Sequence, residues 1–174
     1  MLKIIALILT VIVAMLLLYA ASKPDQFHVE RSVSINASPE KIFPLINDLH
    51  AWNDWTPYNK DPAMKKMFSG AEQGVGASYA WQGNKEVGQG DITITASTPA
   101  SKIVFDLHML EPFAARNVAT FTFAAAADST TVTWSLDGAS PLLAKIMGLF
   151  FDMDNIIGKD FAMGLAQLKV RAEK

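Results

Sequence analysis

Apolar and polar residues alternate through FHVERSVSI. Phe27, Val29, Arg31, Val33 and Ile35 fall on one face and His28, Glu30, Ser32 and Ser34 on the other, which predicts a half-buried strand. Arg31 is the odd member of its apolar face. In ASPEKIFPLIND the spacing becomes helical. Ile42, Phe43 and Ile46 share a side behind Ser38 as N-cap, Pro39 as first helical residue and Glu40 in the first turn, and Pro44 keeps that helix short or bends it. The next stretch, DLHAWNDWTPYNKDP, mixes Trp52, Trp55 and Tyr58 with turn-forming Asn53, Asp54, Pro57 and Asn59. Spaced three apart, the two tryptophans share a side of any single helical turn, which Pro57 then stops.

Alternation returns after Asp61. Tyr79 and Trp81 share a face in GASYAWQG, as do Ile92, Ile94 and Ala96 in GQGDITITAS, and Ile103, Phe105, Leu107 and Met109 in SKIVFDLHML. Ala119, Phe121 and Phe123 follow, then Val132, Trp134 and Leu136, with turn signals at QGN, TPAS, EPFA and AADS. This predicts an antiparallel meander with one dry face. From Ser140, an N-cap followed by Pro141, to the C-terminus the spacing of Ile157, Phe161, Leu165 and Leu168 predicts a long closing helix, broken near Asp152 to Asn155.

Before all this, Ile4 to Ala21 carries no charge. As a helix it would reach about 27 Å, enough for a thin bilayer. Lys3 ahead of it and the small residues Ala20 and Ser22 also fit a cleaved secretory signal, although the apolar run exceeds the roughly 7–15 residues of a signal core. Residues 1–22 are therefore expected to be a transmembrane anchor or a signal, and the domain over residues 27–174 to be exported, to the periplasmic or extracellular side. As an anchor, the segment makes a single-pass membrane protein; as a signal, a secreted one. SKPDQ between them is too short to let the domain swing far from a membrane.

Composition narrows the chemistry. A net charge of −2 without a Lys/Arg cluster argues against a nucleic-acid partner. The chain has no cysteine, so it has neither disulfides nor a thiol nucleophile. His28, His50 and His108 sit at no metal-ligand spacing, and no cofactor is expected. GVG and GQG lie between strands rather than before a helix, and G-x-S-x-G is missing. Asp106 and His108 resemble an acid-base pair but alternate with Phe105 and Leu107, which puts them on the solvent side. By strand parity the inward polar groups are Arg31, Tyr79, Glu111 and Asn117. An inward Arg31 needs a counter-charge. Glu111, in step with Met109, is the expected one, unless Arg31 or Tyr79 orients a ligand carbonyl or carboxylate.

The order of elements, together with VERSVSINASPEKIFPLINDLHAWNDWTPY, WQGNKEVGQGDITIT, TTVTWSLDG and GKDFAMGLAQLK, resembles the SRPBCC or START-like helix-grip superfamily, most closely its polyketide cyclase/dehydrase-like branch. The resemblance spans about Phe27 to Lys169. It implies an α+β fold in which a curved antiparallel sheet, with two short helices after its first strand, wraps around a long C-terminal helix. It also implies an apolar cavity between sheet and helix for a lipid or other hydrophobic small molecule. Trp81, Phe105, Phe121, Phe123, Trp134, Ile157, Phe161 and Leu165 would then line it, with Arg31, Tyr79 and Glu111 as polar contacts. Trp52 and Trp55 would cover the mouth as partly exposed rings, and Gly158 and Gly164 would leave room in the last helix. A minority of such proteins cyclise or dehydrate polyketides. Because no motif of a catalytic member is present, the expectation leans to binding without catalysis, with a cyclase-like enzyme or a protein-contact module of the cell envelope as alternatives.

Overall fold

The computed structural model describes residues 1–174, apart from the side chain of Leu2. An apolar helix α1 (Leu2–Ala21) precedes β1 (Gln26–Ile35) and α2 (Pro39–Asn47). A 3-10 turn (Ala51–Asp54) leads into β2 (Lys65–Gly70), β3 (Ala77–Gln82), β4 (Gln89–Thr98), β5 (Lys102–Glu111), β6 (Ala115–Ala125) and β7 (Thr130–Ala139). A short α3 (Leu142–Met147) and the long α4 (Met153–Ala172) complete the chain. The expected closing helix is thus two helices. Asp152 starts the second by accepting a hydrogen bond from the Asn155 amide at 3.0 Å, while Pro141 rather than Ser140 precedes the first.

All seven strands form one antiparallel sheet in the order β1-β7-β6-β5-β4-β3-β2. This is the helix-grip arrangement, with α4 held against the inner face. Its two ends differ. One end, where α1 joins, carries Gln26 paired to Ala139, Ala115 to Met109 and Gln89 to Glu111. The far end carries Ile35 paired to Thr130 and Gly70 to Ala77. Beneath α2, near that far end, Ile35, Ile42, Ile46, Ile94, Ile103, Phe105, Phe121 and Val132 are completely buried and form a solid core.

Strand β2 escaped the hydrophobic pattern because it is an edge strand, bonded to β3 alone and exposed on nearly all its side chains; without a dry face there is no alternation to read. Two register shifts in the β4–β5 pair undo two parity assignments. Across the shift between Ile94 and Ala96 the alternation breaks, and Ala96 is exposed. At the other shift Gly90 faces Met109 and Gln89 faces Glu111, so Leu110 is an extra residue, and Glu111 leaves the step of Met109 and lies exposed.

Arg31 consequently does not pair with Glu111, from which β7 and β6 also separate it. Its guanidinium bonds Asp154 on the first turn of α4 at 2.9 Å and the Asp154 carbonyl at 3.0 Å, holding that carboxyl below the usual carboxylate range. A Cβ at Gly158 would collide with the same guanidinium, and one at Gly164 would stand 2.8 Å from Pro57 and 3.0 Å from Trp134. The room those glycines leave is taken by the protein itself.

On the outer face His28 meets Asp137 at 2.6 Å and Glu30 at 3.3 Å, which raises its pKa above the ordinary 6.5, Asp137 contributing most. The stabilisation this pair gives is full below the unfolded pKa and is lost as pH rises through the higher folded one. An NMR titration should place His28 above 6.5, and Asp137→Asn should lower it more than Glu30→Gln; equal values in all three chains would refute the pairing. Asp106 and His108 do not act together. Arg116 lies 3.4 Å from Asp106, and Asp91 lies 3.4 Å from His108.

Candidate functional site

The paired tryptophans need more than a turn to explain them. The last carbonyls of a helix have no partner within it. Trp52 donates its indole N–H to the Ile46 carbonyl at 2.8 Å, and Trp55 donates to the Leu45 carbonyl at 2.9 Å. The two indoles thereby complete the C-terminal end of α2 and turn their rings inward. Trp55 is 0% exposed and Trp52 4%. They are core rings, not a partly exposed cover, because the 3-10 turn folds beneath α2 instead of over the opening. Each meets Trp134 edge-on, with centroids 6.5 and 5.9 Å away.

Beyond this packed region the inner face of the sheet separates from α4 and leaves a cavity of about 210 Å³. Tyr79 and Trp81 of β3, Ile92 of β4, Leu107 and Met109 of β5, Ala119 of β6, and Trp134 and Leu136 of β7 form its sheet wall. Phe161 and Asp160 of α4 face them, with Trp52 and Tyr58 at the closed end and Met64, Glu86 and Val87 towards the end where α1 joins. Trp134 lies in an aromatic stack, 4.0 Å from the Phe161 centroid and 4.8 Å from that of Phe121. At the rim Lys60 bonds Asp160 at 3.2 Å.

Of the residues expected from the sequence, Trp52, Tyr79, Trp81, Trp134 and Phe161 meet around this space. Trp55, Phe105, Phe121, Phe123 and Leu165 lie in the packed core behind it, and Ile157 is half-buried against that core. Arg31 and Glu111 stand away from it. Ile92, Leu107, Met109, Ala119 and Leu136 were legible as inward residues, but not as cavity wall. Their distinction is position along the strand, nearer the α1 end, which alternation does not encode. Tyr58 stood out only as one aromatic of its turn segment, and the Lys60–Asp160 pair had no sequence signal at all.

The polar chemistry is sparse. Burial and the nearby Asp160 carboxylate push the Tyr58 phenol upward, and burial alone pushes Tyr79 up to about 12. Both are neutral phenols near pH 7, able to donate a hydrogen bond to an acceptor but unable to serve as bases. Of the three expected polar contacts, Tyr79 lines the cavity while Arg31 and Glu111 do not converge on it.

The architecture matches solved structures across the domain. An X-ray structure of a Chromobacterium violaceum protein is 13% identical with a TM-score of 0.61, covering 87% of this chain and 99% of its own. The solution structure of the Aha1 dimer from Colwellia psychrerythraea is 18% identical with a TM-score of 0.61, covering 84% and 96%. A Thermobifida fusca solution structure is 23% identical with a TM-score of 0.61, covering 83% and 92%. Identities this low speak for the fold alone. Among curated proteins no sequence match is found. The model of the polyketide cyclase / dehydrase and lipid transport family, however, matches residues 26–173. With the helix-grip sheet, the gripped α4 and the apolar hollow between them, the match leads to one conclusion: the chain belongs to the polyketide cyclase / dehydrase and lipid transport family.

Proposed function

We propose that this protein is a membrane-tethered, exported module that holds part of a hydrophobic molecule in the cavity between sheet and α4, without catalysis. The observation that carries the reading is the cavity itself. It exceeds the roughly 150 Å³ that takes up benzene and stays dry, but falls below the roughly 300 Å³ where pockets for drug-sized ligands begin. It therefore suits one ring or a short acyl segment, with the rest of the ligand outside. Tyr58 and Tyr79 present phenol donors to a ligand acceptor such as a carbonyl.

Energetics favour a local source of ligand. Burying one apolar group the size of a leucine or phenylalanine side chain contributes about 1.5–3 kcal/mol, whereas even millimolar affinity needs about 4. A bilayer beside the domain supplies hydrophobic molecules at a concentration that dilute solution does not. Helix α1 supports such a tether: its span Lys3–Ala21 is apolar and only 6% of it is buried. In this arrangement the N-terminus, with Lys3, is the cytoplasmic end of the span, which puts the domain across the membrane.

Native mass spectrometry of the full chain released from nanodiscs tests this reading. Wild-type protein should carry a hydrophobic adduct. Ala119→Leu, which extends a side chain from the cavity wall, should reduce its occupancy about tenfold, a change of 1.4 kcal/mol, with little loss of stability because the added carbons enter empty space. Adduct-free wild-type protein, or an adduct indifferent to Ala119→Leu, would sink the proposal.

A further inference from the structure

The stretch LLAKIMGLFFDM, from Leu142 to Met153, is strongly apolar, yet it does not enter the core. Leu143 is 62% exposed and Phe150 71%, and Leu142, Phe151, Met153 and Ile156 are exposed with them. The one cation in the segment is turned the other way. Lys145 is buried and bonds Asp25 at 2.6 Å, so the outward surface of this elbow between α3 and α4 presents apolar side chains without a cation, its exposed charges being Asp152 and the Asp154 that pairs with Arg31.

Its position is set by α1. Helix α3 packs against α1, whose Ala20 is completely buried. Just beyond it Asp25 is held twice, by Lys145 and through its carbonyl by the Ser140 amide at 2.7 Å. The apolar run of α1 ends at Tyr19 to Ala21, where the Lys23 ammonium lies 4.5 Å from the Tyr19 ring. An aromatic ring followed by a cation is the pairing that residues at a membrane–water boundary show. The elbow is fastened at that level.

The two ends of the sheet also differ in surface chemistry. At the far end, the turns 36–38, 71–76, 99–101 and 126–129 expose one large hydrophobic residue, Val75. At the α1 end the elbow and Phe113, in the β5–β6 turn, are exposed together. Scattered apolar residues need no explanation, whereas their concentration at one pole does.

We propose that the α3–α4 elbow is a membrane-seated surface, lying in the headgroup boundary of the same bilayer that α1 crosses. This rests on the tether reading of α1 and adds a second contact, which fixes the orientation of the domain. Interfacial apolar faces of this kind sink about 5–10 Å into the headgroup–acyl boundary. The open part of the cavity, marked by Met109 and Val87, belongs to the same end of the sheet, so the seated domain holds its opening beside the lipid rather than facing bulk water. The contact is hydrophobic: the elbow presents no basic cluster, and a neutral phosphatidylcholine surface suffices.

The absence of cysteine makes the test clean. Full-length chains carrying Leu143→Cys, Phe150→Cys or, at the far end, Asp128→Cys are labelled with an environment-sensitive fluorophore and placed in phosphatidylcholine nanodiscs. Labels at 143 and 150 should lose about half or more of their emission to acyl-chain nitroxide lipids, as insertion to that depth requires, and should be indifferent to salt. The label at 128 should instead be quenched by aqueous iodide. Labels at 143 and 150 as open to iodide as that at 128 would overturn the proposal. So would labels shielded from iodide but untouched by nitroxide lipid, which would mean that a protein, such as a second copy, covers the elbow. Carbonate extraction separates the two readings. A chain washed from membranes ends the tether reading, whereas a chain retained with wet labels ends this inference alone.

Discussion

Replacing Trp55 with alanine is expected to cost about 3–5 kcal/mol of stability, the range for truncating an aromatic ring in a packed core. The ring is fully buried against Phe121 and Trp134, with centroids 6.0 and 5.9 Å away. Truncation removes its burial, leaves a void that the rigid sheet cannot fill, and deprives the Leu45 carbonyl of its donor. Trp52→Ala differs in one respect. Trp52 borders the cavity, so its loss should enlarge that space and change adduct occupancy as well as stability. Denaturant midpoints of the full chain, with native mass spectrometry alongside, would check both. A Trp55→Ala midpoint within about 1 kcal/mol of wild type would contradict its placement in the core.

A second large effect is expected at Gly90. A side chain there would strike the His108 carbonyl across the β4–β5 pair and stand 2.7 Å from the Trp81 ring. The clash with the carbonyl can be relieved only by a shift of the strand backbone, and that with the indole by a movement of Trp81. Gly90→Ala should cost about 1–3 kcal/mol as overpacking does, and the displaced indole should move into the cavity it now borders. Stability and adduct occupancy should therefore fall together. Gly148→Ala is the control, since its nearest neighbours would be 3.3 and 3.5 Å away. Gly90→Ala with wild-type stability and occupancy would show that the strand pair has slack and that Trp81 is not held by this contact.

These effects sit where one-dimensional pattern meets three-dimensional register. Alternation identified six of the seven strands and most of their inward residues, because a sheet with one wet face imposes period two on its side chains. It failed at Ala96 and Glu111, where an extra residue in one strand resets the parity. It also failed at β2, an edge strand with nothing to bury. Arg31 was legible as a charge on an apolar face in need of a partner. Its partner, Asp154, lies 123 residues away on another element, a pairing that no local spacing encodes.

By itself, the sequence determined the order of the elements other than β2, the dry face of the meander, the break before the last helix and the apolar N-terminal segment, all consequences of local periodicity, capping and turn chemistry, while the family likeness rested on resemblance to known sequences. Only the tertiary structure decided how inward residues divide between solid core and cavity wall. Helix α2 and the two indoles that complete its C-terminus fill the far end, and nothing of equal bulk fills the end near α1. Phe105 and Leu107 occupy adjacent inward places on one strand, yet one is core and the other borders the cavity. Position along the strand made the difference, because packing density depends on what other elements bring to the same place.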